Sequence, residues 1–224
     1  MYQETPFYRA LTGGDYPIIV SLARHDLDLA KAALGAGATA LKTHLNAFHR
    51  ATGTTFGSFA EERPFFEELS RLGCPLLVMA GQETVPSAGE MAALAALGFE
   101  GFNVYVDHMQ PHLLQSPLRP MPALSATSTN EDVARIAALP GCIIEASIMP
   151  FERYRTAMTE TDLERYAAVV RSVDVPVIVP SQLALTPEDA KRLREAGIAA
   201  PLLGAIVTGD TPQSMQAAIS AFAH

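Results

Sequence analysis

The sequence predicts a single (β/α)8 barrel, and three observations carry that expectation. The chain has 224 residues, a length that one α/β barrel fills as a single domain, here 1–224. Short apolar, β-branched runs alternate with amphipathic stretches along the whole chain, so parallel strands joined by helical crossovers are expected. Eight such units suit closure into a barrel. The first strand–helix turn also lacks the glycine fingerprint of a doubly wound dinucleotide fold.

Strands are expected over 17–23, 39–45, 75–80, 102–106, 122–127, 142–149, 175–180 and 201–206. Helices are expected to begin near Asp26, Phe59, Ser87, Pro111, Asn130, Thr161, Pro187 and Pro212. Thr186-Pro187-Glu188-Asp189 and Thr211-Pro212 each set a hydroxyl cap before a proline at the first helical position. Gly35, Gly37, Gly73, Gly98 and Gly197 are expected to end helices where a left-handed residue is wanted. The fourth helix is the weak element, because residues 109–120 hold three prolines. A short helix over 6–11 is expected to cover the barrel bottom.

A hydrophobic content of 49% supplies a large core, yet no apolar run reaches the ~20 residues of a membrane span. The opening residues lack the regions of a signal peptide, and Cys74 and Cys142 read as free thiols beside apolar runs. A cytoplasmic setting without membrane contact is expected. The net charge of −8 is dispersed, which argues against nucleic acid and requires any anionic substrate to be held locally. Apolar helices over 91–97 and 136–139 would suit a homo-oligomer, and core burial explains them equally.

Period-two alternation tells which side chains enter the barrel. Leu41 and Leu45 suit the helix layer, turning Lys42 and His44 inward. Phe102, Val104 and Val106 face out and leave Asn103, Tyr105 and Asp107 inside. Ser125 and Thr127 face in behind Leu124 and Ala126, and Glu145 and Ser147 behind Ile144, Ala146 and Ile148. Ser21 and the pair Ser181-Gln182 complete the set. Barrel interiors are normally filled by bulky branched residues, and active sites of this fold lie at the C-terminal strand ends. A polar inward set there reads as chemistry. Alternate strands share layers, so Lys42, Asn103 and Glu145 are expected in one layer.

A desolvated lysine can act as base, acid or Schiff-base nucleophile, and a carboxylate across the pocket can handle the complementary proton. That pair suits proton abstraction beside a carbonyl, hence isomerisation, epimerisation or retro-aldol cleavage. His44, Tyr105 and Asp107 are secondary proton carriers. Anion binding by Lys42 is the alternative, and a buried ion pair with Asn103 as filler is the purely structural one. No cofactor is expected. The competing use is a divalent metal, gathered by His44, Asp107, His108 and His112 in a lyase or hydrolase, although no HExxH or cysteine set supports it.

The stretch Leu202-Leu203-Gly204-Ala205-Ile206-Val207-Thr208-Gly209-Asp210-Thr211-Pro212 puts a glycine at a strand end before a helix start. Backbone N–H groups of Gly204 and Ala205 can approach an anion there, and many barrels hold phosphate after strands 7 and 8. Ser21, Ser125, Ser147, Ser181 and Gln182 are further candidate donors to substrate or phosphate, with Asp210 turned outward.

Val175-Pro-Val-Ile-Val, Leu185-Thr-Pro-Glu-Asp-Ala-Lys-Arg-Leu-Arg-Glu-Ala-Gly and Leu203-Gly-Ala-Ile-Val-Thr-Gly-Asp-Thr-Pro together resemble the ribulose-phosphate-binding barrel superfamily. Within it the layout is similar to the N-acylmannosamine-6-phosphate 2-epimerases, whose opening resembles Ile18-Ile-Val-Ser21 and whose basic strand-2 residue falls at Lys42. The resemblance implies a phosphorylated small-molecule substrate. The catalytic lysine of those epimerases falls at Val78-Met79-Ala80-Gly81, and their Ala-Glu-Gly motif at Val179-Pro180-Ser181, so the implied phosphate site is not accompanied by the family's catalytic set. A non-catalytic phosphometabolite-binding barrel is the reading outside enzymes.

Two loops flank the expected mouth. Residues 46–58 are long for a strand–helix connection and could close over a ligand, with His49 or Arg50 meeting charge. Residues 150–159 carry Arg153, Tyr154 and Arg155, a second possible anion clamp.

Overall fold

The computed structural model describes residues 2 and 4–223 and shows the expected closed barrel. Its strands are β1 (Ile19–Ser21), β2 (Ala40–His44), β3 (Leu76–Met79), β4 (Phe99–Asn103), β5 (Arg119–Pro120 and Ala123–Leu124), β6 (Ile144–Ala146), β7 (Val177–Pro180) and β8 (Ala200–Leu203). All neighbours in the barrel pair in parallel, β1 with both β2 and β8. The ring closes at β5. Met121 N–H donates to Phe102 O on one side, and Glu145 N–H to Pro122 O on the other. Pro120 and Pro122 lack N–H groups, so they join the ladder through their carbonyls alone, while Met121 and Ala123 supply the N–H donors toward β4.

The helices are α1 (Pro6–Gly13), α2 (Leu27–Gly35), α3 (Phe59–Ser70), α4 (Ala88–Ala96), α5 (Asn130–Ala137), α6 (Glu160–Arg171), α7 (Pro187–Glu195), α8 (Ala205–Thr208) and α9 (Pro212–Phe222). Reciprocal capping boxes start α3 to α7 and α9, including the two Thr-Pro starts read from the sequence. Among the expected helix-ending glycines, Gly37, Gly73, Gly98 and Gly197 take positive φ. Gly35 does not; it is the last residue of α2.

Three expectations are corrected. Strand β4 begins at Phe99 rather than 102, because Gly101 lets it lie against Met121, whose Sδ would stand 2.7 Å from a Cβ there. Strand β5 begins at Arg119 rather than 122. No α-helix forms near Pro111. Two single 3-10 turns, Val106–His108 and Leu113–Gln115, span that connection, as prolines at 111, 117 and 120 deny the chain the N–H groups of a longer helix.

The core is layered as the alternation requires. Ile19, Leu77, Met121, Ile143, Ile178 and Leu202 fill the barrel interior below the site, and α1 plugs its bottom with Phe7 and Leu11. Outward residues such as Leu41, Leu45, Phe102 and Val104 pack under the helices on one flank, and Ile144, Ala146 and Val179 on the other. Met91, Leu94 and Ile136 are spent on these layers. Cys142 is buried and Cys74 half-buried, both free. No helix among the described residues is long and apolar enough to cross a membrane.

Candidate active site

The C-terminal strand ends open into a cavity of about 460 Å3, within the range of small-molecule sites. At its floor lies the layer expected from the even strands. Lys42 Nζ donates to Glu145 Oε2 at 2.5 Å and to Asn103 Oδ1 at 3.1 Å. Asn103 Nδ2 donates to Met121 O at 2.6 Å, which fixes the amide with its oxygen toward the lysine. Ser147 Oγ donates to the other carboxylate oxygen of Glu145 at 3.0 Å. The Lys42 and Glu145 side chains are 4% and 6% exposed, so this is a desolvated ion pair whose cavity side is open to a ligand.

Parallel register puts these groups together. Ser21 lies beside Lys42 across β1–β2, Met79 beside Asn103 across β3–β4, and Ala123 beside Glu145 across β5–β6. Tyr105, just past β4, lines the cavity. Burial pushes its hydroxyl above the usual tyrosine range, with Tyr154 and Glu145 adding and Ser147 and Arg50 opposing, so it stays protonated and can donate.

His44, at the end of β2, is buried with its ring stacked on Phe56 at 4.8 Å and tilted against His49 at 4.8 Å. Among the described residues its Nδ1 has no partner. Burial first, then His49, Lys42 and His25, hold it well below the usual histidine range. Burial and then Lys42 lower His49 to about 4. Below the ordinary histidine value of 6.5 the unfolded chain therefore binds protons that the native chain refuses. The contribution of both groups is complete above about pH 6.5 and declines as pH falls from there, through about 4 for His49. Denaturant unfolding at pH 7 and 5 is expected to show this loss, reduced in His49→Asn. Glu100, pushed up by burial, works in the opposite direction, so equal pH dependence in the parent and the variant overturns the assignment.

The loop over 46–58 is a hairpin folded over the mouth, its short strands Ala47–His49 and Thr54–Phe56 antiparallel. Asn46, with φ 47°, bends the chain out of β2, and Gly53, with φ 71°, turns the hairpin. Arg50 stands exposed on the cavity wall at that turn. His25 braces the arrangement, bonding His44 O through Nε2 at 3.0 Å and Glu62 through Nδ1 at 2.6 Å. His25 and Phe56 were not foreseen; neither lies on a barrel strand, where alternation could have marked it.

The opposite loop departs from the expected anion clamp. Arg153 turns to Asp162 at 2.6 Å, and Arg155 Nη2 reaches the hairpin, donating to Ala51 O at 2.5 Å. Tyr154 Oη accepts from Gln182 Nε2 at 2.6 Å. Gln182 is otherwise committed to the same loop, accepting from Met149 N–H and donating to Ser147 O. Ser125 and Thr127 sit on a turn at the rim rather than within a strand, and Asp107 is exposed at the mouth. The possible metal set is not gathered: His112 Nε2 bonds Pro86 O, and among the described residues no three His, Cys, Asp or Glu form a metal-holding group.

At the end of β8, Gly204, Ala205 and Ile206 line the cavity. Gly204 N–H donates to Ser181 Oγ at 2.7 Å, leaving the Ser181 hydroxyl hydrogen to point elsewhere. Ala205 and Ile206 open the four-residue α8, and their N–H groups lie outside its ladder. Asp210 is exposed, and its carbonyl accepts from Arg24 at 2.6 Å.

No family model matches this chain, and no curated protein does. Solved structures do. Mycobacterium tuberculosis tryptophan synthase superposes with a TM-score of 0.72 at 14% identity, over 99% of this chain and 97% of that one. The tryptophan synthase A-subunit of Pyrococcus furiosus gives 0.68 at 12%, over 93% and 97%. Thiamine phosphate pyrophosphorylase from Pyrococcus furiosus gives 0.64 at 14%, over 96% and 95%. The fold is therefore that of a (β/α)8 barrel, as the strand–helix alternation implied, and at these identities the likeness concerns the fold alone.

Proposed function

We propose that this chain is an enzyme acting on a small phosphorylated metabolite that carries a carbonyl, as an isomerase, epimerase or aldolase-type lyase. The observation that supports it most is the desolvated Lys42–Glu145–Asn103 layer facing an open cavity. A buried ion pair contributes little net stability, whereas a fixed amine–carboxylate pair at a barrel's C-terminal end can move a proton beside a carbonyl. In this reading Lys42 and Glu145 exchange the proton, Asn103 and Ser147 hold them, and Tyr105, His44 and Asp107 serve as secondary proton carriers at the wall. The amides of Ala205 and Ile206, with Ser181 and Ser21 beside Gly204, receive the phosphate; Arg50 and Ser125 meet its far side. Fold neighbours that are enzymes, one of them named for thiamine phosphate, favour this class.

Thermal unfolding with inorganic phosphate, dihydroxyacetone phosphate and ribulose 5-phosphate tests it. A ligand at ~100 times its dissociation constant should add about 2.7 kcal/mol. Gly204→Asp should remove that gain without loss of fold: φ is −113°, and a Cβ there meets only Ser181 Oγ and Ser21 Cβ, each at 3.7 Å. The same carbonyl compounds should exchange a carbon-bound hydrogen for solvent deuterium in the presence of the protein. Stabilisation without exchange points to a binding barrel rather than an enzyme, and the absence of both effects overturns the reading.

A further inference from the structure

We propose that Lys42 forms a covalent imine with the carbonyl of an aldehyde or ketone substrate, with Glu145 as its proton carrier and counter-ion. The proposal rests on the site assigned above and narrows its chemistry. An ammonium has three N–H bonds, and the protein takes two of the Lys42 bonds, through Glu145 Oε2 and Asn103 Oδ1. Among the described residues the third has no acceptor, and Lys42 lines the cavity. The nitrogen is thus held from behind and open in front.

Anion binding fits the same geometry poorly. With the carboxylate 2.5 Å away, the pair presents no net charge to an incoming phosphate. Residue usage agrees. Lysine appears only three times among sixteen Lys and Arg residues, as Lys31, Lys42 and Lys191. Lys31 and Lys191 stand on the surface, with side chains 62% and 68% exposed. Arginine otherwise serves this chain for positive charge, and a guanidinium cannot act as an amine nucleophile. A primary amine has been placed where the cavity floor needs one.

The proton balance closes within the pair. Transfer from Nζ to Glu145 gives a neutral amine and a neutral carboxylic acid, with no unpaired charge left in the barrel. The amine attacks the carbonyl carbon. The proton returned by Glu145, together with one from nitrogen, converts the carbonyl oxygen to water as the carbinolamine collapses. The product is a protonated imine beside a carboxylate, formed from ammonium and carbonyl with loss of one water. The positive nitrogen then draws electrons from the adjacent C–H or C–C bond, and Ser147 on the second oxygen keeps Glu145 in place.

Reductive trapping tests this directly. The native protein is treated with sodium cyanoborohydride and glycolaldehyde phosphate, dihydroxyacetone phosphate or glycolaldehyde, then analysed by intact mass and peptide mapping. One adduct per chain on Lys42 is expected, absent in Lys42→Arg and formed on the order of 100-fold more slowly in Glu145→Gln. Because the map on the native chain names the modified lysine, a poorly folding variant does not blunt the test. No adduct, or label spread over Lys31, Lys191 and the amino terminus, overturns the imine. If phosphates still stabilise the fold in that case, the proposed function stands without it. An adduct on Lys42 with no phosphate stabilisation keeps the imine and removes the phosphate site.

Discussion

Glu145→Leu alone is expected to lower the unfolding free energy by about 3–5 kcal/mol, and Glu145→Leu combined with Lys42→Met to restore most of it. The single change strands an ammonium that is 4% exposed, with the Asn103 oxygen its one remaining partner among the described residues. Lys42→Met alone strands the carboxylate with Ser147 and should cost a similar amount. Replacing both ions with apolar side chains of like volume removes both desolvation penalties, which is often neutral or stabilising. Denaturant unfolding at pH 7 of the four proteins gives the coupling. A double variant as stable as the parent means that the fold does not need the pair, leaving chemistry as its reason. Additive losses in the double variant would mean that the barrel interior relies on the pair, and the functional assignment would lose its main support.

How much of this was legible beforehand depends on how local each signal is. Barrel strands are buried on both faces, so their apolar runs stood out, and a period of two decided which side chains entered the interior. Lys42, Asn103 and Glu145 were placed in one layer by that argument, and the hydrogen bonds unite them. The start of β4 was misplaced because Glu100-Gly101 breaks the apolar run; the glycine is there for the close approach of Met121, a fact about a distant strand. Loop geometry was less accessible. The hairpin strands are three residues each, too short for alternation to mark them. Arg153 and Arg155 both looked like anion ligands, yet one finds Asp162 and the other Ala51 O. Choices of that kind are made by neighbours far along the chain, so the loops yielded candidates while the strands yielded positions.

Gln182 is where this distinction has the largest measurable consequence, because the sequence suggested a ligand and the structure bonds the side-chain amide to protein groups at the cavity wall. Its Oε1 accepts from Met149 N–H at 3.0 Å, and its Nε2 donates to Ser147 O at 3.2 Å and to Tyr154 Oη at 2.6 Å. Its backbone carbonyl accepts from Arg155 N–H. Gln182→Leu, close in volume, is expected to cost about 3 kcal/mol, since each buried backbone group left without a partner costs roughly 1–3 kcal/mol. Amide hydrogen exchange at Met149 should quicken with it. Gln182→Glu keeps the acceptor but loses both donor bonds, and is expected to fall between. The loop it braces also carries Ser147, so weaker holding of Glu145 should follow from the same change. A ligand role makes the opposite forecast: Gln182→Leu would leave the unfolding free energy and the Met149 exchange rate unchanged while abolishing stabilisation by phosphates. The two readings forecast opposite results on the same observables, so one unfolding series with and without phosphate decides whether Gln182 belongs to the substrate or to the wall that shapes its site.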